Sequence, residues 1–251
     1  MLTYLLEGIA WRLGKTVVEK AQLGRAVGDE FLARLFKEFQ VSAVVDIGAN
    51  EGQYAKRLRD KSHYNGAIHS YEPIPEVYQQ LLRAAATDDQ WSVFPYAVDS
   101  KGGRRLFNVM VGSEFSSFLH PTKEHAGAFD GQHVVAKTVE VEIIGLDDVL
   151  HKFTGRSVDW RALLKLDTQG TELRILESVG DAVRQFAAIQ VEVAFEPIYE
   201  GAPTITDISA WMKSKGFALS SLFANNEGHF PRLLEMDAVF TRSDLVDKFS
   251  L

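Results

Sequence analysis

The sequence predicts an α/β fold: a seven-stranded, mostly parallel sheet with helices on both faces and a terminal antiparallel hairpin. Three observations carry this expectation. Residues 43–52, Ala-Val-Val-Asp-Ile-Gly-Ala-Asn-Glu-Gly, read as a buried strand, a glycine turn and the start of a helix. From residue 43 onward, apolar strand-like runs alternate with helical periodicity, the pattern of a parallel sheet covered on both faces. Near the end of the chain, two strand-like runs flank the turn Asn225-Asn226-Glu227-Gly228, which suits an antiparallel hairpin at a sheet edge.

Taken in order, residues 1–40 read as a helical cap. Phe31, Leu32, Leu35, Phe36 and Phe39 fall at helical spacing, and Leu2, Leu5, Leu6, Ile9, Trp11 and Leu13 form a second apolar face. That face suits packing on the domain or on a dimer partner better than a membrane surface. The main domain spans 41–251. Strand 43–48 is followed by helix 52–60, strand 67–72 closed by Pro73, helix 75–85 and strand 91–98. The rhythm breaks over 101–145, where Arg104 to Met110 and Val134 to Ile144 alternate like hairpin strands. The stretch between them, 112–131, is either a lid or the long loop of a plain surface hairpin. Strand 162–167, helix 170–178, strand 187–194 and a helix 204–215 stopped by Gly216 then restore the alternation. Strands at about 218–223 and 235–241 complete the set.

The 43–52 turn has two of the three glycines of a dinucleotide fingerprint, Gly48 and Gly52, and carries carboxylates at Asp46 and Glu51. A pyrophosphate needs bare backbone at a helix N-terminus and would be repelled by these acids. A cationic nucleoside such as S-adenosylmethionine suits them. Glu72 ends the second strand, where such folds place a ribose-binding acid, and a carboxylate can accept from both hydroxyls of a ribose diol.

Composition narrows the function further. The 251 residues are 46% hydrophobic and 24% charged, consistent with one soluble domain and a small extension. There is no cysteine, which fits a reducing, cytoplasmic setting. Its absence excludes thiolate nucleophiles, thiolate-held metal clusters, radical cleavage of S-adenosylmethionine and cysteine-dependent methylation of pyrimidines. Net charge is −7, from 27 basic and 34 acidic residues, and no basic run offers a phosphate-binding face, so no nucleic-acid partner is expected. No apolar run reaches the about 20 residues of a membrane span.

The segment Leu163-Leu-Lys-Leu-Asp-Thr-Gln-Gly-Thr-Glu172 puts Asp167 at the carboxyl end of a central strand, the edge where open α/β sheets bind ligands. Together with Asp46 to Gly52, Glu72-Pro73 and Leu146 to Leu150, in that order, it resembles the FkbM family of methyltransferases over about residues 41–220. Gln169 departs from the family pattern, which most often has glutamate there. The resemblance implies a Rossmann-like class I methyltransferase fold, S-adenosylmethionine as methyl donor, and a hydroxyl acceptor on a sugar or small metabolite. Within it, Asp46, Gly48, Asn50 and Gly52 match the cofactor loop, Glu72 the ribose acid, and Ala97 and Asp99 the turn near adenine.

An alcohol is a poor nucleophile until its proton leaves, so a base is expected within hydrogen-bond reach. The candidates are Asp167, Glu192 and Glu196 at the carboxyl edge of the sheet and His120 and His125 in the insertion. Glu192 lies in an apolar strand, which would raise its pKa and suit it to the role. A variant has Asp167 and Glu192 holding one Mg²⁺ that orients the acceptor. Two other functions compete: a cofactor-binding module without catalysis, motivated by Gln169, and an NAD-binding oxidoreductase using the same loop.

Overall fold

The computed structural model describes residues 23–123, 129–152, 161–224 and 232–248. The apolar face at residues 1–13, His125 and the turn 225–228 lie outside the described residues.

The chain opens on helix α1 (Leu23–Glu38), then alternates β1 (Ala43–Ile47), α2 (Gln53–Asp60), β2 (Ala67–Tyr71), α3 (Pro75–Ala85) and β3 (Trp91–Phe94). After the insertion come β7 (Ala162–Leu166), α5 (Glu172–Val179), β8 (Phe186–Ala194), α6 (Ile205–Ser214), β9 (Phe217–Phe223), β10 (Glu235–Arg242) and α7 (Ser243–Val246). The main sheet has seven strands in the order β3-β2-β1-β7-β8-β10-β9. Its first five strands are parallel, and β10 runs antiparallel to both neighbours. The antiparallel hairpin expected at the edge is therefore present, with β9 as the edge strand and β10 between it and β8.

Strands β1 and β7 are buried along their whole length, as expected for strands covered on both faces. One face is sealed by Leu146, Val149, Leu150, Ile175, Leu176, Ile208 and Met212 packed on Val45, Leu164 and Val191. The other is sealed by Leu58, Leu81, Trp91 and by α1, whose Leu32, Leu35 and Phe36 join Val44, Leu163 and Ala188 in one core. The described part of the N-terminal region is therefore built into the sheet's own packing. Local signals set the helix ends. Pro75 opens α3 at its first turn, and Thr204 and Asp207 form a capping box on α6, with Thr204 N donating to Asp207 Oδ2 at 2.8 Å.

The strand expected over 91–98 is two strands. Pro95 has no N–H for a ladder, and the chain breaks there: β3 stays in the main sheet, while β4 (Ala97–Asp99) leaves it. β4 joins β5 (Gly103–Met110) and β6 (Val135–Gly145) in a separate three-stranded sheet of order β4-β6-β5, with β5 and β6 antiparallel as expected of the insertion. β6 leads directly into α4 (Leu146–His151).

Candidate active site

The strand order reverses between β1 and β7, and a cavity of about 810 Å³ opens there, at the carboxyl ends of the parallel strands. Under it runs a polar row on one sheet face, of which Lys165 and Gln190 line the cavity. Ser70, Asp46, Lys165 and Gln190 sit side by side on β2, β1, β7 and β8. Ser70 Oγ donates to Asp46 Oδ2 at 2.9 Å and accepts from Trp91 Nε1 at 3.0 Å. Lys165 Nζ lies 3.4 Å from Asp46 Oδ1 and 3.2 Å from Asp167 Oδ2, and it donates to the Gly48 carbonyl at 3.2 Å. Burial alone would lower the Lys165 pKa, but Asp167 and Asp46 outweigh it and hold the ammonium well above its ordinary value. Burial raises Asp46, partly offset by Lys165 and Ser70.

Beyond this row lie the side chains that face the cavity. Glu72, buried at the end of β2, accepts from Asn50 N at 3.0 Å and Ile74 N at 2.8 Å, and burial lifts its carboxyl to about 7. The cofactor loop is forced by geometry at Gly48: its φ is 77°, and a Cβ there would run into the Asp167 carbonyl oxygen. Gly52, with φ 84°, packs against Trp91 and Leu81 and does not line the cavity.

The loop after β7 is held by Glu172. Its carboxylate accepts from Thr168 N at 2.8 Å, Thr168 Oγ1 at 3.0 Å and Gly170 N at 3.0 Å. This fixes Gln169 in the left-handed region, φ 55°, with its carboxamide inside the cavity. Gln169 Nε2 donates to Asp167 Oδ1 at 2.8 Å and to Glu192 Oε2 at 2.6 Å, while Tyr199 Oη lies 2.7 Å from Gln169 Oε1. One neutral amide therefore bridges the two acids that the sequence singles out. It stands where a shared cation would stand, and among the described residues no group of three or more His, Asp or Glu is arranged to hold a metal ion.

The structure brings Gly48, Asn50, Glu72, Ala97, Asp167 and Glu192 to one cavity. It does not bring Asp46, Gly52, Asp99 or His120 there. Asp46 is fully enclosed beneath the loop, so neither its charge nor that of Glu51 lines the cavity; the acids that do are on the loop's neighbours, Glu72 and Asp167. Asp99 is buried and held by Arg105 at 2.7 Å and Arg174 at 2.8 Å. His120 is exposed, with its carbonyl accepting from Glu200 N. Glu196 pairs with Arg232 outside the cavity.

Sequence reasoning missed several residues of the site. Lys165 was visible as a lone cation inside the apolar run Ala-Leu-Leu-Lys-Leu. Phe115 and Phe118 of the insertion line the cavity, and Ser113 Oγ donates to Asn50 Oδ1 at 3.0 Å, tying the insertion to the loop. Glu235 and Asp237 line the cavity too. Burial, reinforced by neighbouring acids, lifts Glu235 to about 8 and Asp237 to about 6, and raises Glu192 well above the carboxylate range.

These shifts have a consequence for stability. A carboxyl whose pKa is raised by folding holds a proton that the unfolded chain, titrating near about 4, has already released. Glu72, Asp237 and Glu235 thus favour the fold fully below pH about 4 and lose that contribution as pH rises through their folded values, about 7, about 6 and about 8. The melting temperature is expected to fall between pH about 5 and about 8.5, with a shallower fall in Glu235→Gln. A thermal melt that stays level or rises over this window would contradict the assignment.

A reversing α/β sheet with a cavity over its switch point, an acid at the end of β2 and acids at the ends of β7 and β8 defines a protein of the class I methyltransferase type. The profile of the FkbM methyltransferase domain matches residues 46–219, and the chain belongs to that family of S-adenosylmethionine-dependent methyltransferases. It is 26% identical over 196 residues to methyltransferase sdnD of Sordaria araneosa, covering 70% of this chain and 74% of that one. Among solved structures it is similar to magnesium protoporphyrin IX methyltransferase of Synechocystis PCC 6803, at 11% identity and a TM-score of 0.46, over 93% of this chain and 90% of that one. It is also similar to fibrillarin of Aeropyrum pernix, at 12% identity and a TM-score of 0.44, over 84% of this chain and 74% of that one. Family membership, not these distant likenesses, assigns the chemistry. Among the described residues, no helix is long and apolar enough to cross a membrane.

Proposed function

We propose that the chain transfers a methyl group from S-adenosylmethionine to a hydroxyl oxygen of a sugar or small metabolite. The observation that carries this is the pair of cavity-facing acids Asp167 and Glu192 bridged by Gln169, set beside a loop and acid, Asn50 and Glu72, suited to a nucleoside. The residues fit the cofactor. Glu72 has its backbone bonds at one lone pair of each oxygen and retains acceptor capacity for a ribose diol. Gly48 and Asn50 supply a loop with close backbone approach, and Ala97 borders the same cavity. Asp46 and Lys165 act from beneath, holding the Gly48 carbonyl in place.

The bound cofactor supplies an electrophilic methyl group. The chain's own task is to orient an alcohol, keep water away and accept its proton. Glu192 is the proton acceptor in this scheme: burial and neighbouring acids make its carboxylate more basic than usual, and Gln169 fixes its direction. Asp167, held by Lys165 and Gln169, positions the acceptor hydroxyl. Phe115, Phe118 and Ser113 bring the insertion over the cavity, the place of a lid that excludes water.

The test is conversion of methyl-labelled S-adenosylmethionine with a panel of hydroxylated acceptors. Label is expected in an ether that resists alkali, with at least about a hundredfold slower turnover in Glu192→Gln. Cofactor binding without label in any acceptor would instead favour a non-catalytic assembly module.

A further inference from the structure

The acids in and around the candidate site fall into two groups. Most are satisfied: Asp46 by Ser70 and Lys165, Glu72 by two backbone N–H groups, Glu172 by Thr168 and Gly170, Asp99 by two arginines. Glu235 is different. It is 6% exposed and borders the cavity, and its carboxyl group has no hydrogen bond or ion pair among the described residues.

Glu235 does not stand alone. β10 pairs with β8 so that Asp237 is directly opposite Glu192 and Glu235 opposite Ala194, which puts Glu192, Asp237 and Glu235 on one face at the acceptor end of the cavity. Like charges at directly paired positions repel, and a buried carboxylate without a partner is costly. The fold nonetheless places three acids there. Asp167, Glu172 and Asp237 add to the negative field on Glu235, while Asp237 itself is eased by Lys165, by a hydrogen bond with Gln190 and by Arg25. Lys165 is already shared between Asp46 and Asp167.

The group is also far from the nucleoside end. Glu72 ends β2 and the acids lie on β8 and β10, so β2 to β10 spans four strand spacings, about 19 Å. A metal ion does not suit the group, since no three of the described acids are arranged to hold one. A compact organic cation does: an ammonium has three donors to spread over several carboxyl oxygens and tolerates loose geometry.

We propose that Glu235 and Asp237, beside the proton-accepting Glu192, form a subsite for a protonated amine on the acceptor, so that the substrate is an amine-bearing alcohol such as an amino sugar. The inference rests on the methyltransferase function proposed above and specifies its substrate class. The ammonium favours the ionised form of Glu235, which releases its proton to solvent, and gives that carboxylate its missing partner. It also places the molecule's hydroxyl beside Glu192 and Asp167.

The test measures binding of 2-amino-2-deoxyglucose and of its N-acetyl form to protein saturated with S-adenosylhomocysteine, by saturation-transfer NMR. The amino sugar is expected to bind at least about tenfold more tightly than the neutral one, the worth of a hydrogen bond to a charged group. Glu235→Gln, which keeps the shape of the protonated side chain, is expected to erase that preference and leave S-adenosylhomocysteine affinity unchanged. Equal binding of the two sugars, or no binding of either, overturns the proposal. So does a parallel loss of S-adenosylhomocysteine affinity in Glu235→Gln, which would assign the acids to the cofactor. Failure of the wild-type protein to bind S-adenosylhomocysteine at all would instead strike the methyltransferase function itself.

Discussion

Lys165→Met is expected to lose about 3–5 kcal/mol of folding stability, the usual result of removing one partner from a buried ion pair. Lys165 is buried in β7 between Asp46 and Asp167, and its ammonium also donates to the Gly48 carbonyl. Methionine fills the volume but leaves Asp46 enclosed with only Ser70 as a partner. Urea denaturation reads the loss directly. The double variant Asp46→Asn with Lys165→Met should recover part of it, because the stranded charge is then gone. A Lys165→Met protein within about 1 kcal/mol of wild type would show that the polar row is not what holds the floor of the cavity.

Gly48→Ala is expected to cost at least about a hundredfold in S-adenosylhomocysteine affinity, about two hydrogen bonds' worth. The backbone there is left-handed, and the new Cβ would meet the Asp167 carbonyl. The loop must move away from β7, which shifts Asn50 from Glu72 and breaks the line from Lys165 to the Gly48 carbonyl. Circular dichroism separates this from unfolding, since the strain is confined to the loop and β1 is buried along its length. Unchanged affinity in a folded Gly48→Ala protein would place the cofactor away from this loop.

Much of the architecture was legible because its parallel strands are mostly apolar and several are followed closely by glycine, proline or an acid. Val44 and Val45 before Asp46 and Gly48, Ser70 and Tyr71 before Glu72, and Leu164 and Leu166 before Asp167 all mark strand ends in the primary sequence. Which acids share a cavity was less legible. Asp99 meets Arg174, a partner from α5, and no local pattern around Asp99 discloses that pairing. His120 lies in the insertion, whose path depends on the separate sheet that Pro95 redirects β4 into. Glu235 and Asp237 were hidden for a topological reason. They begin an antiparallel strand, so their place at the cavity follows only from β10 lying between β8 and β9.

The same geometry revises the electrostatic ground for excluding a dinucleotide. Asp46 is covered by the loop and matched by Lys165, so it does not repel a ligand. The negative lining comes from Glu72, Asp167, Glu192 and the acids of β10. Arg25, Lys56, Arg57, Lys61 and Lys165 line the same cavity, so the choice between a pyrophosphate and a sulfonium rests on the local pairing of these charges.

Titration calorimetry of S-adenosylhomocysteine into the wild-type protein and into Glu72→Ala, with NADH as the comparison ligand, tests the central claim most directly. One molecule of S-adenosylhomocysteine is expected to bind wild type, about a hundredfold more weakly to Glu72→Ala, where the ribose loses its charged acceptor, and no heat is expected from NADH. Folded wild-type protein that ignores S-adenosylhomocysteine, or that takes up NADH with an affinity sensitive to Glu72, would contradict it.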